Sequence, residues 1–255
     1  MNVSKPTLLL TEAIRARCRE NLAAVRWRMA EACRLTGRDP LSVRLVGVTK
    51  YVDAPATQML LDAGCSDLGE SRPQLLWQKA EQLTHATPSP RWHLIGHLQR
   101  NKLRQTLGLV TLLHSLDSRR LLEAIDAQAR QSGRRCEVLV EVNLCGNPAR
   151  TGLAESEVAP LLDLAQALSH VNVRGLMGMA SESDDRQEVG SRDVRGMARQ
   201  QFSQLRALRD RLAATLPATM PLSELSMGMS NDFEPAILEG STLVRVGSAL
   251  WEGIA

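Results

Sequence analysis

Eight short apolar runs recur along the chain, all but the last followed by a stretch with helical rather than alternating periodicity. No other feature limits the fold so much. The runs lie at Val43–Thr49, Ser66–Gly69, Trp92–Ile95, Thr111–His114, Glu137–Asn143, Asn172–Met177, Glu224–Met227 and Thr242–Val246. Helical patterns fall between them at Ala54–Ala63, Pro73–Leu83, Gln99–Leu107, Ser118–Gln131, Ala154–Leu168, Met197–Thr215 and Asn231–Leu238. A longer amphipathic pattern precedes them from about Leu8 to Leu35, stopped by Thr36-Gly37 and then Asp39-Pro40. Parallel neighbours need long crossovers, so strict strand-then-helix alternation predicts a parallel sheet. Eight such units in 255 residues predict a closed (β/α)₈ TIM barrel with an additional N-terminal helix, as one domain over residues 1–255. An open doubly wound sheet has the same periodicity. No GxGxxG follows a strand, which weakens the dinucleotide-binding form of that alternative.

Composition narrows the partners. A net charge of +3 and an aromatic share of 3% supply neither a strong field for a phosphate backbone nor a platform for stacking bases, so nucleic acid is not expected. Cys18, Cys33, Cys65, Cys136 and Cys145 form no CxxC pair, and their odd number argues against a disulfide framework. No stretch approaches 18 apolar residues and the amino terminus lacks a signal-peptide core. A cytoplasmic location without membrane contact is expected.

In a barrel, active groups gather at the carboxyl ends of the strands. Lys50 ends the first run, where a lysine at the mouth of a buried strand is expected to be partly desolvated. Desolvation disfavours the charged amine and would free it as a nucleophile toward an aldehyde; a solvated lysine in a strand-to-helix turn is the plainer reading. Near strands seven and eight, Ser226-Met227-Gly228-Met229-Ser230 and Arg245-Val246-Gly247-Ser248 combine small residues with hydroxyls. Barrels often hold phosphate there, although helix capping and tight packing account for the same residues. Arg245 is placed to point inward, toward a ring nitrogen or into a buried ion pair.

Other candidates have structural readings of comparable weight. Asn143 precedes a loop containing Gly146 and Gly152 that can bend over a ring, or it makes an Asx turn. His93 and His97 straddle a strand end without a carboxylate nearby in sequence, so no metal site is expected. His114 reads as a hydrogen-bonded core histidine, Asp117 as the cap of the next helix, and Cys145 as a small side chain. The polar stretch Glu182–Arg195 has no apolar period and reads as a mobile surface insertion.

Taken together these segments resemble the pyridoxal phosphate homeostasis proteins, single-domain relatives of the alanine racemase amino-terminal barrel. The resemblance rests on Leu45-Val46-Gly47-Val48-Thr49-Lys50, Leu68-Gly69-Glu70, the run from Trp92 to Lys102, His114-Ser115-Leu116-Asp117, Val142-Asn143, Arg174-Gly175-Leu176-Met177, Leu225 to Ser230, and Val244-Arg245-Val246-Gly247. It extends from about Leu41 to Gly253. It implies that Lys50 forms a Schiff base with pyridoxal 5′-phosphate, that Ser226, Met227, Gly247 and Ser248 hold the phosphate, and that Arg245 faces the pyridine nitrogen. An arginine there would keep that nitrogen unprotonated and weaken the ring as an electron sink. Two positions depart from the family: Ser71-Arg72 stand where asparagine and an aromatic residue are common, and Ser248 where threonine is common.

The implied function is to hold the cofactor and take part in intracellular vitamin B6 homeostasis, with apo-enzymes as transient partners and a monomeric state. A racemase of this type needs a second proton-transfer group; the sequence ends soon after strand eight, so no further domain is expected, and Tyr51 beside Lys50 reads as pointing the other way. A weakly active amino-acid racemase is the alternative. A lysine aldolase acting on a sugar phosphate is a third class, opposed by the family motifs.

Overall fold

All eight apolar runs become strands, since helices cover them outside and the barrel fills from within. A computed structural model of the chain describes residues 11–147, 149–181 and 191–254. In chain order the elements are α1 (Glu12–Leu35), β1 (Arg44–Val48), α2 (Ala54–Asp62), β2 (Asp67–Glu70), α3 (Pro73–Gln82), β3 (Arg91–Leu94), α4 (Leu103–Thr106), β4 (Val110–Leu116), α5 (Arg119–Gln131), β5 (Cys136–Val142), α6 (Glu155–Gln166), β6 (Val171–Gly178), α7 (Ser191–Ala213), β7 (Glu224–Ser226), α8 (Phe233–Leu238) and β8 (Leu243–Val246). Every strand pairs in parallel with the next, and β8 closes on β1, with Arg44, Leu45, Val46 and Gly47 opposite Leu243, Val244, Arg245 and Val246. Closure rules out the open doubly wound sheet.

Two apolar layers follow. Inside, Val46, Leu112, Leu139, Met177 and Leu243 form a separate buried cluster, with Met179 above it. Outside, the remaining core lies between sheet and helices. Helix α1 buries Cys18, Leu22, Val25, Met29 and Ala32, a stripe at alternating steps of four and three residues that keeps one face inward. It packs against both α8 and α2 and so takes the eighth place in the helical ring. Asn21 Nδ2 donates to Leu250 O (3.1 Å) and Glu252 O (2.9 Å), tying α1 to the segment after β8. Among the described residues no helix is long and apolar enough to cross a membrane.

Several expected boundaries move. Thr11 is the N-cap of α1, accepting from Ile14 N, and the expected start at Leu8 lies outside the described residues. The helix expected over Gln99–Leu107 is a 3₁₀ turn at Arg100–Lys102 followed by four helical residues. Of the stretch read as a surface insertion, residues 182–190 lie outside the described residues, but α7 already begins at Ser191; the end of that stretch is helical rather than irregular. Asp117 does not cap α5. Ser118 does, with an extended backbone and a hydroxyl that accepts from Leu121 N (3.3 Å), and Asp117 is thereby released for another contact.

Candidate functional site

The carboxyl ends of the strands bring the expected residues to one rim, although not with the environments expected of all of them. Lys50 follows β1 in a turn and is exposed. Its Nζ lies 4.8 Å from the centre of the Tyr51 ring, which is itself 60% exposed. The anticipated desolvation of Lys50 is therefore absent, as is the opposed orientation of its neighbour: the chain has left the extended conformation, so the two side chains meet.

What is buried is the support beneath Lys50. Thr49 Oγ1 donates to Glu70 Oε1 (2.7 Å), while Lys79 Nζ, reaching in from α3, donates to Thr49 O (2.7 Å) and to Glu70 Oε1. Glu70 is fully buried and Lys79 nearly so. Burial pushes the Lys79 amine below its usual value, against the pull of the Glu70 carboxylate. The other oxygen, Glu70 Oε2, is buried without a hydrogen-bond partner among the described residues. On the other side of the strand, Trp251 Nε1 donates to Val48 O (2.8 Å). The strand end that carries Lys50 is thus held from both sides.

Arg245 points inward, as its register with Val46 requires. It is buried and bonded to Ser226 O (2.7 Å), Ser226 Oγ (2.6 Å) and Gly178 O (3.1 Å), three neutral oxygens. Burial lowers it to about 10, with Asp232 and Glu141 pulling the other way; it remains a cation at neutral pH. A guanidinium has five N–H groups, and two lie outside these three bonds.

Ser226 is put to a different use from the phosphate contact expected of it. Its hydroxyl is fully buried and shared between Arg245 and His114 Nδ1 (2.8 Å). Met227 is likewise engaged: its N–H donates to Leu243 O (3.1 Å) and its carbonyl accepts from Ser241 Oγ (2.8 Å). Gly247 and Ser248 do sit at the rim, Ser248 exposed. Ser230 braces them, since its Oγ accepts from Gly247 N (3.1 Å) and Ala249 N (3.3 Å). The loop can approach so closely because Gly228 has φ +94°, and a Cβ there would lie 2.6 Å from Ala236 Cβ.

Asn143 makes a different contact from the Asx turn of the alternative reading: its Nδ2 donates to Asn147 O (2.8 Å), and Cys145 Sγ–H donates to its Oδ1 (3.2 Å). It lines a small cleft with Glu141, Cys145, Thr151 and Met179. Burial raises the Glu141 carboxyl; the Thr151 hydroxyl, Arg245 and His97 counter this, and Asp117 adds to it. Two pairings escaped the sequence. Exposed His97 is bonded through Nδ1 to Asp117 Oδ2 (2.8 Å), so the histidine that lacked a carboxylate nearby in sequence has one in space. His93, fully buried, is bonded through Nε2 to Asp67 Oδ1 and through Nδ1 to His114 Nε2, both at 2.9 Å.

These buried groups make stability depend on pH. Burial, together with the neighbouring His93, Arg245 and Arg44, holds His114 well below the usual imidazole value of 6.5. Below 6.5 the unfolded chain binds a proton that the folded chain refuses, so folding weakens on acidification. Burial pushes Asp67 up, but His93 and Arg91 outweigh it and hold it at about 2, against an ordinary 3.8. Its contribution, about 2 kcal/mol, is present above 3.8 and lost as pH falls toward 2. Denaturant titrations should show stability falling from pH 7.5 to 5 and again below 4, the latter loss being reduced in Asp67→Asn. Stability that rises between pH 7.5 and 5 contradicts the assignment.

Known proteins are similar to this chain in sequence and fold. The family model described as the alanine racemase N-terminal domain matches residues 21–253. A pyridoxal phosphate homeostasis protein of Aquifex aeolicus is 34% identical, over 91% of this chain and 96% of that one. Among solved structures, one described as an unknown protein from Bifidobacterium adolescentis superposes with a TM-score of 0.85 at 34% identity, covering 96% of this chain and 98% of its own. PipY of Synechococcus elongatus PCC7942, solved with PLP bound, superposes with a TM-score of 0.76 at 32% identity, covering 91% and 99%.

Proposed function

The chain belongs to the alanine racemase N-terminal domain family, alongside the pyridoxal phosphate homeostasis proteins, and from that membership we propose that it binds pyridoxal 5′-phosphate at Lys50 and takes part in intracellular vitamin B6 homeostasis. The observation that carries the reading is one solvated amine, Lys50, at the mouth of a barrel whose interior holds one buried guanidinium, Arg245. Bound there, the cofactor supplies an aldehyde that condenses with an amine and a phosphate that seeks N–H and hydroxyl donors.

The residues present suit that group. Lys50 provides the amine, and Thr49, Glu70 and Lys79 fix the backbone from which it rises. Gly247 and Ser248 face the rim and take the phosphate, with Ser230 holding their loop in place. Arg245, a donor only, would face the ring nitrogen and could accept no proton from it. Ser226 and Met227 act from beneath, Ser226 through Arg245 and Met227 through the strand pairing. Asn143 shapes the loop at the side of the mouth.

The role is that of a carrier with transient contact to apo-enzymes, in line with the names of the relatives. Loaded protein should reactivate a cofactor-dependent apo-enzyme faster than an equal total concentration of free pyridoxal phosphate. Reactivation no faster than that of the free cofactor removes delivery from the proposal. The His97–Asp117 pair favours a second reading, weak amino-acid racemisation, because it places an acid–base group on the rim. Solvent deuterium entering the α-carbon of alanine in the loaded wild type, and lost in His97→Gln, would favour that reading over a pure carrier.

A further inference from the structure

An unbroken line of hydrogen bonds crosses the barrel interior. It starts at the amino-terminal end of the barrel, where Asp67, the first residue of β2, is paired with Arg91, the first of β3. It continues from Asp67 to His93 on β3 (2.9 Å), to His114 on β4 (2.9 Å), across to Ser226 on β7 (2.8 Å) and to Arg245 on β8 (2.6 Å). His93, His114 and Ser226 are fully buried, and Asp67 and Arg245 nearly so.

Proton counting gives the line a direction. Arg245 has donors only, so Ser226 Oγ accepts from it and keeps its single proton for His114 Nδ1. A neutral His114 that accepts at Nδ1 carries its proton at Nε2 and donates to His93 Nδ1. His93 then carries its proton at Nε2 and donates to the Asp67 carboxylate, an acceptor only. The reverse polarity needs an imidazolium at His93 and leaves the Ser226 proton without an acceptor in the line. It would also add a positive charge to an interior already facing Arg44 and Arg245. Each bond in the forward direction polarises the next, so the carboxylate at one end makes the Ser226 oxygen a stronger acceptor for the guanidinium at the other. The charged groups facing the line are Arg91 at Asp67, Arg44 at His114, and Asp232 and Glu141 at Arg245.

We propose that Asp67, His93, His114 and Ser226 form a one-directional relay that orients and polarises Arg245, making them positioning residues for the pyridine ring of bound pyridoxal phosphate. The inference rests on the reading of the site given above. Its reach is the unexpected part: Asp67, at the opposite end of its strand from the mouth, acts on a cofactor that it does not touch.

The test has two arms. In the apo protein at pH 8, nitrogen-15 spectra of the histidines should show His93 and His114 as Nε2–H tautomers, and His114 should not titrate between pH 8 and 5.5. An Nδ1–H form or an imidazolium at either position overturns the relay. In the loaded protein, Ser226→Ala should weaken pyridoxal phosphate about 10-fold, the scale on which loss of an outer partner of a ligand acts, and Asp67→Asn several-fold. Both variants should move the pH midpoint of the visible band in the same direction, which a merely structural defect would not do, and Asp67→Glu should restore it. If Asp67→Asn does not fold, Ser226→Ala decides alone, since it removes a single hydroxyl. Variants that fold and leave the midpoint where it is in the wild type overturn the inference while leaving the site reading intact. A wild type that takes up no pyridoxal phosphate overturns the site reading and this inference with it.

Discussion

Lys50→Ala yields a protein that folds normally and can no longer be labelled: borohydride treatment with pyridoxal phosphate adds no pyridoxyl mass to it, whereas the wild type is modified on the peptide containing Lys50. Normal folding follows from the environment of the side chain. Lys50 is exposed and lies over the Tyr51 ring, a contact of about 0.5–1 kcal/mol at an exposed site, and the buried contacts at its strand end belong to Thr49 and Val48. Complete loss of the label with a melting curve close to that of the wild type separates chemistry from folding. Persistent labelling of the variant assigns the linkage to another amine and removes Lys50 from the site.

The largest stability effect is expected at a lysine with a quite different environment. Lys79→Ala should destabilise the protein by roughly 3–5 kcal/mol, because it leaves the fully buried Glu70 carboxylate without its cation. The double variant Glu70→Leu with Lys79→Met should recover most of that loss, since replacing both partners by apolar groups of similar size removes the uncompensated charge. Urea titrations measure both. A single variant within 1 kcal/mol of the wild type would mean that water reaches Glu70 and that the pair does not support the strand end below Lys50.

The two lysines show what could be read from the sequence and what could not. Lys50 was legible because it ends an apolar run, and the position of a strand end is a local property. Its exposure was not, because that depends on how the turn at Tyr51 leaves the sheet. Lys79 sits in an amphipathic helix, where a lysine ordinarily marks the wet face; nothing in α3 announces that Glu70, nine residues earlier, waits beneath it. The strand order and closure followed from eight repeats of one pattern. The relay from Asp67 to Arg245 did not, because its members are drawn from five strands and meet only once the barrel is closed. Ser226 was found for its position and not for the interior bonds of its hydroxyl, since a hydroxyl at a strand end serves rim or interior according to a single step of side-chain alternation. Asp117 and Ser118 exchanged roles for a similar reason: either can cap a helix, and their backbone angles decide which one does.

The solvated position of the Lys50 amine bears on how long anything captured there would stay. A guest taken up at that position meets bulk water and every small amine dissolved in it. Retention is then governed by the concentrations outside the protein, and a reservoir filled and emptied in this way tracks supply and demand without moving parts.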